Sequence, residues 1–248
     1  MHFIRKKIIK ERAFFARWVS EFDRHKKSSF WYLINDKPLE LDAYSVNTRS
    51  KIRRGFKELE VRKISKKDMF KMGYTVYKAA FKRYKTINKP MTYNEFKKYI
   101  TDLDELWEFW GVFNRKDNLL VGYSENKVVD NQCYYSTIKF HSDYLKKYPS
   151  YVLYYTMNRY YLKERNLDYV NEGTRSILHE TNVQSFLIDK FKFRKAYCKL
   201  HIKYHPLVYI LILLLYPLRS LIIKSKINLL HKIGVVLIQE SYNKSEKN

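Results

Sequence analysis

Residues 169–200, YVNEGTRSILHETNVQSFLIDKFKFRKAYCKL, gather the side chains best suited to chemistry. A strand-like run ends in Asn171, Glu172 and Gly173, a polar turn carries Thr174, Arg175, Ser176, His179, Glu180, Thr181 and Asn182, and an amphipathic helix begins. Polar residues gathered at a strand end and a helix start are where α/β folds place ligands. His179 could serve as a general base, and Glu172 is the alternative one. Gly173 has no Cβ, so a ligand or another stretch of backbone can come close. Arg175 offers a rigid, multidentate donor for an anion. A purely structural role also fits these residues, with Glu172 and Arg175 pairing with neighbours to fix the turn.

A second segment, TRSKIRRGFKELEVRKI at residues 48–64, places Arg49 and Arg53 four apart on one helical face, with Arg54 and Lys57 adjacent. Such a row can grip phosphate or carboxylate by paired hydrogen bonds, and it also fits a solvated basic helix face. The chain has no GxxxxGK[ST], GxGxxG, HExxH or GxSxG motif, which disfavours P-loop nucleotide hydrolysis, zinc proteolysis and α/β-hydrolase chemistry. Its two cysteines, Cys133 and Cys198, sit in apolar or aromatic strand-like runs, so neither a metal nor a disulfide partner is expected.

The elements that must position these residues follow from periodicity. A basic amphipathic helix is expected over residues 1–27, with Phe3, Ile4, Ile8, Ile9, Phe14, Phe15, Trp18 and Val19 at helical spacing. A short strand (28–34) and the turn at Asp36-Lys37-Pro38 lead to a helix capped by Ser45, then a strand at 59–64. Helices follow at 67–84 and from Thr92, where Glu95 completes a capping box. Three strand-like runs between residues 106 and 140, joined by short polar connections, make an antiparallel meander. A helix capped by Ser150, a strand at 169–172, a helix at 180–191 and a strand at 195–204 complete the order. This pattern predicts an α+β fold with a mixed, mainly antiparallel sheet flanked by helices. The apolar run at 207–223 is broken by Pro217 and Arg219, so it is expected to dock on the domain or a membrane surface without spanning, paired with the helical segment that follows. Residues 206–240 form this carboxyl-terminal helical region, and the polar tail at 241–248 is expected to be disordered.

With 248 residues, 46% of them apolar and 17% aromatic, the chain is long and apolar enough for one sizeable core. Forty-nine Lys and Arg against 25 Asp and Glu give a net charge of +24, a field that attracts phosphates, nucleic acid or an anionic membrane surface. The 23 tyrosines could stack bases, which keeps a non-catalytic nucleic-acid-binding protein as the rival reading. The amino terminus has neither the apolar core nor the cleavage site of a secretion signal, so the expected compartment is cytoplasmic, with room for peripheral membrane attachment.

Taken together, SVNTRSKIRRGFKELEVRKIS, GYTVYKAAFKRYK and NEGTRSILHETNVQSFLIDKFKFRKAYCKLHIKY resemble the GNAT-like acyltransferases allied to the Fem aminoacyltransferases of peptidoglycan bridge synthesis. The resemblance covers roughly residues 45–204 and makes 28–205 the acyltransferase domain. It implies a GNAT-like twisted sheet and transfer of an acyl or aminoacyl group to an amine or hydroxyl, in cell-envelope or surface-polysaccharide synthesis. The donor co-substrate it implies is anionic, an acyl-CoA or an aminoacyl-tRNA, which makes tRNA a partner. Family members bind near the sheet's splayed centre, which marks Arg83, Tyr84, Glu172, Gly173, Arg175 and His179 as cleft positions and brings in Thr181 and Asn182 from the same turn. One departure is plain: KFHSDYLKKYPS, before the Ser150 helix, lacks the [RQ]xxGx[GA] turn that cradles a coenzyme A pyrophosphate. Lys146 and Lys147 are the candidate phosphate ligands in its place.

Overall fold

The computed structural model describes residues 2–83, 89–176, 182–225 and 227–245. The elements run α1 (His2–Lys10), β1 (Phe15–Ser20), β2 (Trp31–Asn35), α2 (Val46–Glu58), β3 (Leu59–Ile64), α3 (Lys66–Phe81), α4 (Tyr93–Asp102), β4 (Trp107–Asn114), β5 (Leu120–Val129) and β6 (Gln132–Phe140). Then come α5 (Pro149–Arg159), β7 (Tyr169–Thr174), α6 (Asn182–Phe191), β8 (Arg194–Tyr197), β9 (Lys199–Tyr204), α7 (Pro206–Leu215), α8 (Arg219–Ile222) and α9 (Asn228–Ser245). One sheet has seven strands in the order β3-β4-β5-β6-β7-β2-β8, and a second pairs β1 with β9. The expected α+β architecture, a mixed and mainly antiparallel sheet with flanking helices and additional terminal helices, is what the chain adopts.

The chain divides into two compact units. One comprises Ile34–Gly173 and Val183–Arg194. In it β3, β4, β5 and β6 are successive antiparallel neighbours, and Gly122↔Phe140 through Val129↔Gln132 is the register of the last hairpin. Its turn residues Asp130 and Asn131 both take positive φ, as a two-residue hairpin turn demands. On one sheet face Phe109, Phe113, Leu120 and Tyr123 pack with Met69 and Val76 of α3 and Phe96 and Ile100 of α4. Thr92 and Glu95 form the expected capping box. The opposite face carries α5, where Trp110 donates its indole N–H to Tyr161 Oη at 2.9 Å. Tyr161 itself lies in a π turn, Tyr160–Glu164, that prolongs α5. Ser150 does not cap this helix: Tyr148 does, in the left-handed region at φ 60°, and Pro149 takes the first helical position with its φ preset.

The other unit comprises Met1–Leu33, Thr174–Asn182 and Lys195–Asn248. Here the amino-terminal helix stops at Lys10, and Arg12, at φ 51°, turns the chain out of it. The residues expected to continue it form β1 instead. Cross-strand partners explain the change: Trp18 faces His201 and stacks on it at 5.2 Å, and Phe15 faces Tyr204 with rings 6.0 Å apart. The single strand expected at 195–204 is two, broken at Cys198, whose N–H turns aside to the carbonyl of Phe30 at 3.2 Å. Phe30, Leu200, Ile202, Tyr204, Ile212 and Leu237 form the core. Gly234 lets α9 lie against the end of α8, since a Cβ there would come within 2.6 Å of Ile223 Cα. The last helix runs to Ser245, five residues into the stretch expected to be a disordered tail, anchored by its buried Glu240 and Asn243. Among the described residues, no helix is long and apolar enough to cross a membrane.

Candidate functional site

The parallel pair β6·β7 opens the sheet. Its register runs only from Gln132↔Tyr169 to Tyr134↔Asn171, although β6 continues to Phe140 and β7 to Thr174. Glu172 is the first residue of β7 past the last paired position. Its Oε2 accepts a hydrogen bond from the Tyr154 hydroxyl of α5 at 3.3 Å. Burial lifts the Glu172 carboxyl to about 8, and the Tyr154 hydrogen bond offsets only part of that rise. Burial, and after it the Glu172 charge, keeps the Tyr154 phenol protonated well above its ordinary range. Beside them the Tyr135 hydroxyl of β6 donates to Asn158 Oδ1 at 2.9 Å, and the Tyr135 and Tyr154 rings lie 5.9 Å apart. Tyr154 is walled on its other sides by Phe186, Phe191 and Phe193. The fork thus holds a titratable carboxyl with an aromatic hydroxyl beside it, in an apolar setting that raises the carboxyl toward neutral pH.

Gly173 is at φ 103°, and a Cβ built there would meet nothing within 4 Å. Backbone conformation therefore demands the glycine. Asn171 closes the turn by accepting from the Gly173 N–H at 2.7 Å.

A second feature of the same unit lies at the start of α5. A groove of about 350 Å³ is lined by Arg54, Lys57, Glu58, Lys146, Lys147 and Tyr148. Gly55 creates it: a Cβ there would sit 2.6 Å from Val152 Cγ1 and 3.4 Å from the carbonyls of Lys147 and Tyr148, so α2 crosses α5 with almost no gap. That crossing brings the α2 cations to the lysines before α5, where the helix dipole also favours an anion. Lys147 donates to Glu58 Oε2 at 2.9 Å and to Asn114 Oδ1 at 3.1 Å, and its hydrogen bond and charge hold the Glu58 carboxyl below the usual range. The Arg54 guanidinium lies 5.0 Å over the Tyr148 ring. Tyr148 and Tyr154 are six residues apart on α5, about 9 Å along its axis.

The predicted residues fare differently. Lys146, Lys147, Glu172 and Gly173 belong to the features just described. Arg49 instead clamps the chain before α2, donating from Nη1 to the carbonyls of Asp42 at 2.9 Å and Tyr44 at 3.1 Å. Arg53 is exposed on α2, with Arg54 and Lys57 taking the groove positions. Arg83 is exposed beyond the end of α3, and Asn182 is the first residue of α6. Arg175 belongs to the other unit, where it donates to the Ser29 carbonyl at 2.9 Å and lies 4.8 Å over the Tyr242 ring. Tyr84, His179 and Thr181 lie outside the described residues. Two residues went unnoticed in the sequence: Tyr154, which looks like one more core aromatic, and Glu125 of β5. Glu125 is buried, accepts from the Tyr99 hydroxyl at 2.7 Å, and is lifted to about 7 by that burial. Its signal was the polar run Ser124-Glu125-Asn126-Lys127 between the apolar ends of the strand. Because its partner Tyr99 is on α4, it lies on the sheet face opposite Glu172.

No family model matches the sequence, and no curated protein does either. Solved structures do. FemX superposes with a TM-score of 0.58 at 10% identity, over 83% of this chain and 69% of that one. L-PGS from Bacillus licheniformis superposes with a TM-score of 0.51 at 10% identity, over 96% of this chain and 70% of that one. At such identities the likeness is one of fold: the chain shares the α+β fold of FemX and L-PGS.

Proposed function

We propose that the chain is an acyl- or aminoacyltransferase that moves an activated acyl group to an amine or hydroxyl at the β6·β7 fork. The observation that carries this reading is the Glu172 carboxyl, raised to about 8 beside Tyr154 at the point where the parallel strands part. A base with a pKa near the working pH combines a sizeable ionised fraction with adequate proton affinity. Ionised Glu172 takes the proton from the acceptor, whose lone pair attacks the donor carbonyl directly; the donor C–S or C–O bond then breaks, and the departing thiolate or alkoxide takes that proton from Glu172, with no covalent enzyme intermediate. The chain then contributes mainly positioning and fixed dipoles. The groove of Arg54, Lys57 and Lys146 is suited to the phosphates of the donor, an acyl-CoA or a charged tRNA. A role in cell-envelope synthesis agrees with the Fem-type fold.

Thermal shift against acyl-CoAs and charged tRNAs tests donor binding, since a ligand at 100 times its Kd stabilises by about 2.7 kcal/mol. With a donor in hand, Glu172→Gln should preserve that shift and slow turnover by about 100- to 10,000-fold. In the wild-type chain the rate should rise with pH up to about 8. Unchanged turnover in the variant would remove Glu172 from the reaction.

A further inference from the structure

The unit built on β1 and β9 leaves an apolar stripe open to solvent. Of the α7 side chains Ile212 is buried, whereas Leu207, Ile210, Leu211 and Leu214 are exposed, Leu207 at 72% and Leu214 at 70%. The stripe continues through Leu218 and Leu221, both exposed, and the positions 207, 211, 214, 218 and 221 recur at the spacing of one helical face. Contiguous apolar surface of this kind marks an interaction site.

Cations border it. A cavity of about 620 Å³ is lined by Pro206, Tyr209 and Ile210 of α7 and also by Ile4 and Arg5 of α1, so the two helices flank one opening. In α1, Arg5, Lys6, Lys7 and Lys10 are exposed with no acidic residue among them, and Phe3 and Ile9 are exposed beside them. Between Asp189 and Glu240 the sequence contains no Asp or Glu at all, and Glu240 is buried. Lys224 and Lys232, after the stripe, are exposed. A second copy of the chain seated here would bring cation against cation, which is costly. An anionic bilayer satisfies both features: acyl chains accept the leucines and headgroup phosphates accept the lysines.

We propose that this unit docks on the surface of an anionic lipid bilayer, with the exposed face of α7 and α8 in the headgroup–acyl boundary and the α1 cations on lipid phosphates. No described helix is long and apolar enough to cross a membrane. The inference stands apart from acyl transfer, because it uses none of the residues at the fork or the α5 groove.

The test is flotation of the full chain with phosphatidylcholine vesicles and with vesicles containing about 30% phosphatidylglycerol, at about 150 mM NaCl. Binding to the anionic vesicles should be at least about tenfold tighter and should weaken at about 500 mM NaCl. The double variant L211D/L214D, checked for an unchanged circular dichroism spectrum, should lose at least about tenfold on the same vesicles. Lys6→Glu with Lys7→Glu should abolish the anionic preference. Should the aspartate variant misfold, brominated phosphatidylcholine mixed with phosphatidylglycerol supplies a readout on the native chain, quenching fluorescence that Trp18→Phe removes. Equal binding to both vesicle types, undiminished binding by a folded L211D/L214D, or a dimer in light scattering that L211D/L214D dissolves would each overturn the proposal, the last by making the stripe an interface between copies.

Discussion

Glu172 is the residue through which stability and proposed activity meet. Its folded-state pKa of about 8 lies above the ordinary 4.5, so the native state holds a proton that the unfolded chain releases. The sign follows from linkage: this proton's contribution to stability is fully present below about 4.5 and is lost as pH rises to about 8. Glutamine carries no such dependence. The stability of Glu172→Gln relative to wild type should therefore climb between pH 5 and pH 9 by about a few kcal/mol, read as a rising difference in melting temperature. Taking the difference between the two proteins cancels groups they share, Glu125 among them. A flat difference would mean that the carboxyl is solvated and not raised. Arg175 behaves in the opposite way at this scale. Its guanidinium already serves the Ser29 carbonyl and the Tyr242 ring, so Arg175→Ala should lower the melting temperature, through a loss of about 1 to 3 kcal/mol of stability for a charged hydrogen-bonding group removed. The measurement that checks it is thermal denaturation with donor affinity alongside; lost affinity at unchanged stability would return Arg175 to the binding residues.

Among the elements, α2 and α5 show how one small residue builds a site. Replacing Gly55 by alanine gains helix propensity of about 0.8 to 1.0 kcal/mol, but the new methyl would sit 2.6 Å from Val152 Cγ1, and overpacking a filled core costs about 1 to 3 kcal/mol. The clash wins because Val152 is fully buried and has nowhere to move. Gly55→Ala should thus destabilise, and in a Val152→Ala background the same substitution should become neutral or stabilising, which a double-mutant cycle by denaturant unfolding measures. What the sequence disclosed about elements follows the range of the forces involved. The β4–β6 meander was legible because alternation and positive-φ turn residues such as Asn118, Asp130 and Asn131 act within a few positions. The antiparallel neighbours at 119–124 and 133–140 were expected and occur. β1 was misread as helix because its stability comes from β9, some 180 residues away, through Trp18 on His201. The α5 groove was half visible: the cations on α2 and before α5 were noted separately, but only the helix crossing shows that Arg54 and Lys57 face Lys146. Gly55, a glycine inside a helical pattern, was the available hint of that crossing.

At the scale of the whole molecule the governing quantity is charge. Forty-nine cations against 25 acids leave an excess of 24 positive charges, whatever the local pairing. Individual surface pairs such as Lys98–Asp102 and Lys127–Asp104 contribute little each, typically about 0 to 1 kcal/mol, whereas repulsion among a net +24 acts across the entire surface. The two effects respond oppositely to salt. Screening weakens attractive pairs and so destabilises, but it also relieves like-charge repulsion and so stabilises. With an excess this large the second effect should prevail, and the melting temperature should rise between about 25 and 300 mM NaCl, by a few degrees if the relief is on the order of 1 kcal/mol for a chain of this size. Thermal denaturation across a grid of salt concentrations checks this statement. A melting temperature that falls with added salt would show that favourable ion pairs, such as Arg165–Glu108 at 2.6 Å, outweigh the net charge. The same grid bears on partners. Heparin or unrelated RNA should raise the melting temperature at low salt and lose that effect by 300 mM, because such binding is paid for by counterion release. A charged tRNA or acyl-CoA that acts as donor should retain stabilisation there, since its binding adds contacts in a shaped groove to the bare attraction of charge.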